Sequence, residues 1–196
     1  MKASKKVVAA AVMALALVPA GFAQMPVDRE SFSITLPTGF GEFARQQQTV
    51  KSQSGDIQQV TYVSKGVGGN AVIVTYGTMS GKILEPATMM GSGRDSLVKS
   101  LGAKLESEKQ LEIDGKPALS IMFTAEKPRP IFARTDLVVA GPRMYQVIFL
   151  GSSADALWHE STEQMFSSFD IKEAAIEKVE KDLAAAVVAA KTTTKQ

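Results

Sequence analysis

Cysteine is absent from all 196 residues, which excludes disulfide frameworks, thiolate metal sites and an acylated lipoprotein N-terminus. The protein must therefore be held together by its core. Histidine is nearly absent: His159 stands alone, whereas transition-metal sites recruit several nitrogen or sulfur ligands. A long apolar run is lacking too. The apolar stretch from Val7 to Val18 is shorter than the roughly 20 residues a bilayer-spanning helix needs, so no transmembrane anchor is expected.

What the N-terminus does carry is the order of a secretory signal. Lys2, Lys5 and Lys6 precede that apolar run, which closes on Pro19-Ala20-Gly21-Phe22-Ala23. A charged start, an apolar centre and a small-residue cleavage site predict removal of residues 1–23, leaving Gln24 as the first mature residue. With those lysines gone, the 22 basic residues fall to 19 against 20 acidic ones. The apparent basicity belongs to targeting, and no nucleic-acid partner is expected, since phosphates call for a clustered basic surface. The remaining length suits one domain, residues 24–171, followed by a helical or disordered tail, residues 172–196. The expected location is periplasmic or secreted.

Along the chain, Gln24 to Glu30 reads as a leader, and Phe32 to Leu36 alternates as a strand that ends at Pro37-Thr38-Gly39. Asp56–Lys65 and Asn70–Thr78 read as a hairpin, and the unbroken Ala71-Val72-Ile73-Val74 as a central strand covered on both sides. A helix is expected from Pro86 to a Gly102 cap, with Gly91 and Gly93 fraying its start. Four strands follow: Leu105–Ile113, Lys116–Ala125, Ile131–Val139 and Arg143–Leu150. Turn residues at Asp114-Gly115, Lys127-Pro128-Arg129-Pro130 and Gly141-Pro142 make them an antiparallel meander. Ala154–Ser168 then reads as one helix that buries Leu157, Trp158, Met165 and Phe169 on one side. The stretch Lys172–Lys191 suits a further helix, and disorder is expected from Thr192.

Three segments give this pattern a family resemblance: Phe32-Ser33-Ile34-Thr35-Leu36-Pro37-Thr38-Gly39-Phe40, Arg143-Met144-Tyr145-Gln146-Val147-Ile148-Phe149, and Met165-Phe166-Ser167-Ser168-Phe169-Asp170-Ile171. They resemble the first strand, penultimate strand and helix end of the Mog1/PsbP-like fold group, which includes exported bacterial relatives. The resemblance implies an α+β fold with an antiparallel sheet of about six or seven strands sandwiched by helices. It also implies a protein that works by binding another protein; the residues themselves give no cofactor motif, and none is expected. The expected partner is an unidentified protein of the cell envelope, and the oligomeric state is open.

Candidate chemistry is sparse. His159 lies one helical turn from Asp155 and Glu163 if Ala154–Ser168 is continuous, a ridge that suits a surface ion pair better than a metal. Gly91-Ser92-Gly93 lacks the two-residue glycine offsets of a nucleophile elbow. Gly66, Gly68 and Gly69 lack the lysine-bearing helix of a phosphate loop. The best binding candidate is a polar patch in which Arg134 and Asp136 share one strand face near Lys127 and Arg129 in the preceding turn. That reading requires the face to be open; covered, the pair is an ordinary charge pair. A small envelope hydrolase with a site hidden in the sequence, and a carrier of an apolar ligand, are the alternatives.

Overall fold

The computed structural model describes residues 24–52, 55–79, 84–126 and 130–193; the expected signal, residues 1–23, lies outside them. The strands are β1 (Met25–Asp28), β2 (Phe32–Leu36), β3 (Ala44–Ser52), β4 (Gly55–Lys65), β5 (Ala71–Met79), β6 (Lys104–Ile113), β7 (Lys116–Ala125), β8 (Ile131–Ala140), β9 (Arg143–Gly151) and β10 (Asp170–Ile171). The helices are α1 (Pro86–Leu101), α2 (Ala154–Leu157), α3 (Glu160–Ser167) and α4 (Glu173–Thr193). A seven-stranded antiparallel sheet in the order β3-β4-β5-β9-β8-β7-β6 faces a smaller sheet, β1-β2-β10. The non-local β5–β9 pair, from Ala71 opposite Leu150 to Thr78 opposite Arg143, joins the β3–β5 ribbon to the β6–β9 meander.

Alternation along the strands explains the layers, because successive side chains point to opposite faces. Ile73, Leu119, Ile121, Phe123, Leu137 and Ile148 bury one face of the large sheet under Met89, Met90 and Leu97 of α1. On the other face Tyr62, Tyr76, Tyr145, Val147 and Phe149 pack against Phe32, Ile34 and Leu36 of β2, together with α2 and α3. The centre of this second layer is aromatic. The Phe32 ring meets Tyr62 edge-on at 5.3 Å, Tyr76 lies 5.5 Å from Tyr145, and Arg143 caps the stack 4.8 Å above Tyr76. Ring pairs of this kind each add roughly 0.5–1.5 kcal/mol beyond their buried area.

Several expectations need correction. Residues 24–30 are not merely a leader: Met25–Asp28 pairs with β2, because Val27 is buried against the domain. The strand β3 was not expected, since Arg45 to Thr49 are all exposed and show no apolar alternation; it forms by pairing with β4 across a two-residue connection. α1 begins at Pro86 without delay. Gly93 is buried, and a Cβ there would stand 3.1 Å from the Met144 methyl, so this glycine serves close packing of α1 on β9. Finally, α4 runs on to Thr193, past the point where disorder was expected.

The expected helix Ala154–Ser168 is two helices. His159 is extended, at φ −64° and ψ 140°, and caps α3, its ring nitrogen Nδ1 accepting from the Ser161 amide at 3.3 Å. Thr162 Oγ1 donates to the Ala156 carbonyl at 2.8 Å, satisfying a carbonyl that the break leaves free. Leu157 stays in the core, whereas Trp158, expected on the buried side, is 60 % exposed.

Candidate functional site

β8 places Arg134 and Asp136 on the same face, two residues apart. The structure closes that face. Arg134 stacks 4.2 Å over the Phe166 ring of α3, and its Nη1 donates to Glu163 Oε1 at 2.6 Å. Its Nε stands 3.9 Å from Asp136 Oδ1, and that oxygen also accepts from Ser120 Oγ at 2.5 Å. Asp136 is only 3 % exposed, and with Ser120, Arg134 and the half-exposed Glu163 it forms a polar strut between β7, β8 and α3. Lys127 and Arg129, the other members of the expected patch, lie outside the described residues.

Burial pushes the Asp136 carboxyl above its ordinary range, and the Glu163 carboxylate pushes it the same way. The Ser120 hydrogen bond and the Arg134 charge oppose the rise without cancelling it. The shift is thus a desolvation effect. Tyr76 is raised for the same leading reason, burial, with the Ser31 contact and Arg143 acting against it. Both groups are built into packing.

The residues considered for catalysis are dispersed. His159 Nδ1 lies 2.8 Å from Ser161 Oγ, but Glu163, the α3 carboxylate one turn on, is bonded to Arg134. The break before α3 also removes the one-turn relation of His159 to Asp155. Ser92 lies inside α1, not at a strand-to-helix elbow. Among the described residues, no group of three or more His, Asp and Glu side chains is arranged to hold a metal. A groove of about 410 Å³ opens to solvent between α4 and the turns of the meander, with Pro117, Val139, Ala140 and Ile176 beside Glu177 and Glu180.

The strand register gathers another set of features at one end of the large sheet. Ala71 faces Leu150, Gly151 faces Phe132, and Ala125 faces Ile131. The β4–β5 hairpin, the β9–α2 junction and the β7–β8 connection therefore share this end. Asn70 Oδ1 accepts from the Ser152 amide at 3.0 Å, tying the first two together. Val67 of that hairpin and Trp158 just past α2 are the exposed large hydrophobic residues of the described chain. Periodicity placed Trp158 in the core; the contrary signal was Ser161-Thr162, residue types that compete with helix interiors by bonding the backbone.

These layers and this strand order define the class of protein: an α+β protein of the PsbP-like fold. No family model matches the chain, and no curated protein matches its sequence. Among solved structures it is similar to the solution structure of cyanobacterial PsbP (CyanoP) from Synechocystis sp. PCC 6803. That match has a TM-score of 0.53 at 14 % identity and covers 81 % of this chain and 99 % of that one. A weaker likeness is to the crystal structure of PA94 from Pseudomonas aeruginosa, a protein of unknown function described as a putative regulator. Its TM-score is 0.40 at 11 % identity, covering 74 % of this chain and 94 % of that one.

Proposed function

We propose that this protein is a non-catalytic accessory of the cell envelope, exported by residues 1–23 and acting by binding another protein. The observation that carries the reading is Trp158. A side chain of this size held 60 % exposed, at a break fixed by the His159 cap and the Thr162 bond, is a pre-positioned anchor. Tryptophan is enriched among the few residues that dominate protein–protein binding energies. Val67 adds apolar surface at the same sheet end, and Arg134, Asp136 and the strut they form hold α3 in place behind it. Lys127 and Arg129, which the sequence places between β7 and β8, would supply a cationic rim. The PsbP-like fold agrees with an accessory role but does not by itself specify a partner.

The test is affinity capture from the native envelope fraction with the chain from Gln24 to Gln196, as wild type and as Trp158→Ala. The reading expects a defined protein to co-elute with the wild type and to be lost with the variant, whose thermal melt is unchanged because the side chain is outside the core. Equal recovery with both chains would remove Trp158 from the binding surface.

A further inference from the structure

The two sheets have four edges, and three are protected. β1 and β10 are only four and two residues long. β6 carries Lys104, Glu106, Glu108, Lys109 and Glu112, and its register breaks between Leu105 and Ser107. Short length, alternating charge and bulges are the devices by which proteins keep sheet edges from pairing with other chains. β3 has none of them. It runs nine residues in unbroken register from Ala44 opposite Val63 to Ser52 opposite Gly55, contains no proline, and is uncharged from Gln46 to Val50.

We propose that β3 is a self-pairing edge: two copies of this chain join antiparallel along it, about a two-fold axis at Gln47, and fuse their large sheets into one. Backbone direction supports this. The Gly66 amide donates to the Asn70 carbonyl in the β4–β5 register, so even-numbered residues of β4 bond β5 and odd-numbered ones, Gly55 to Val63, bond β3. Bonded and non-bonded pairs alternate from there, which aims the N–H and C=O groups of Arg45, Gln47, Thr49 and Lys51 away from β4. An edge offering these groups is completed by an extended strand.

Charge selects the register of a second copy. Centred on Gln48, the two strands would set Arg45 opposite Lys51, and directly opposed like charges destabilise a ladder. Centred on Gln47, Arg45 faces Thr49, Gln46 faces Gln48 and Ala44 faces Val50, and no cation meets another. The outward groups of Arg45, Gln47 and Thr49 then exchange about six backbone hydrogen bonds with the other copy. Gln48, already bonded to Gln59 at 2.8 Å, extends a glutamine ladder across the junction.

The absence of cysteine makes the test clean. In the chain from Gln24 to Gln196, which contains every described element, Gln47→Cys should form a disulfide-linked dimer under mild oxidation. Paired Cα atoms lie about 5.5 Å apart, within disulfide reach. Gln58→Cys on β4 should form none, because the two copies of that position would be three strand spacings apart across the sheet and four residues apart along it, roughly 20 Å in all. Sedimentation should show a dimer for the wild type and a monomer for Gln47→Pro. Proline there removes an outward N–H that β4 does not use, so the thermal melt of the monomer at low concentration should be retained. A wild type that stays monomeric, with Gln47→Cys uncrosslinked, overturns the proposal, and does so equally if β3 then proves to take a strand from a different protein. Neither result bears on Trp158, which lies on another surface.

Discussion

Asp136 is an acid placed at 3 % exposure, where leucine or valine would cost nothing in hydration. Arg134 compensates only partly, because at 3.9 Å its Nε is a charge neighbour and its stronger bond goes to Glu163. Burial raises the Asp136 pKa in the fold, so the folded state holds a proton that the unfolded chain has already lost. The stabilisation from this group is therefore complete below the ordinary carboxylate value of about 3.9 and is lost as pH rises through the raised folded value. Asp136→Asn removes that titration while leaving the Ser120 hydroxyl a carbonyl to bond. Thermal melts from about pH 4 to about pH 7 should show the wild type losing stability relative to Asp136→Asn as pH rises. An unchanging difference would mean that Arg134 neutralises the acid completely.

At the scale of elements, α4 illustrates how a helix divides its work. Its first turns belong to the domain: Ile176 is buried in the core, and the helix lies so close to the β8–β9 turn that a Cβ on Gly141 would come within 2.9 Å of the Ile176 side chain. That turn needs glycine twice over, since Gly141 also has a positive φ of 54°. The Lys116–Glu173 and Lys172–Asp28 ion pairs pin the helix start. From Ala184 to Ala186 the side chains are exposed. Ile176→Ala should therefore cost about 2–4 kcal/mol in denaturant unfolding, whereas a chain ending at Leu183 should unfold within about 0.5 kcal/mol of the full one. If that truncation were as damaging as the core substitution, the part of α4 beyond Leu183 would have a packing role that the exposure of Ala184 to Ala186 does not suggest.

Legibility also varies from element to element. The meander was readable because its turns are chemical signals: Asp114 and Gly115 both take positive φ, 51° and 70°, as that dipeptide favours in a hairpin. β3 was unreadable because its stability comes from its neighbour β4 and not from its own pattern. The break before α3 was hidden by apolar spacing that also suits a single helix. It is decided by bonds from His159 and Thr162 to the backbone, which win over one more helical turn.

For the whole molecule, periodicity and turn chemistry yielded the meander and most strands, the PsbP-like fold was implied by the resemblance of three segments, and the candidate site was legible only in part. That Arg134 and Asp136 share a face is a consequence of strand geometry. What covers them comes from Glu163 and Phe166, about thirty residues further on, and no local pattern encodes that meeting. The break set by the His159 and Thr162 bonds turns Trp158 outward and makes the end of the large sheet the surface on which the binding account depends. Replacing Trp158 with a photo-crosslinking phenylalanine derivative in the native cell measures that account directly. A discrete adduct with one envelope protein at position 158, and none when the same group replaces Glu112 on β6, is the predicted result. Adducts at Glu112 with none at position 158 would contradict it.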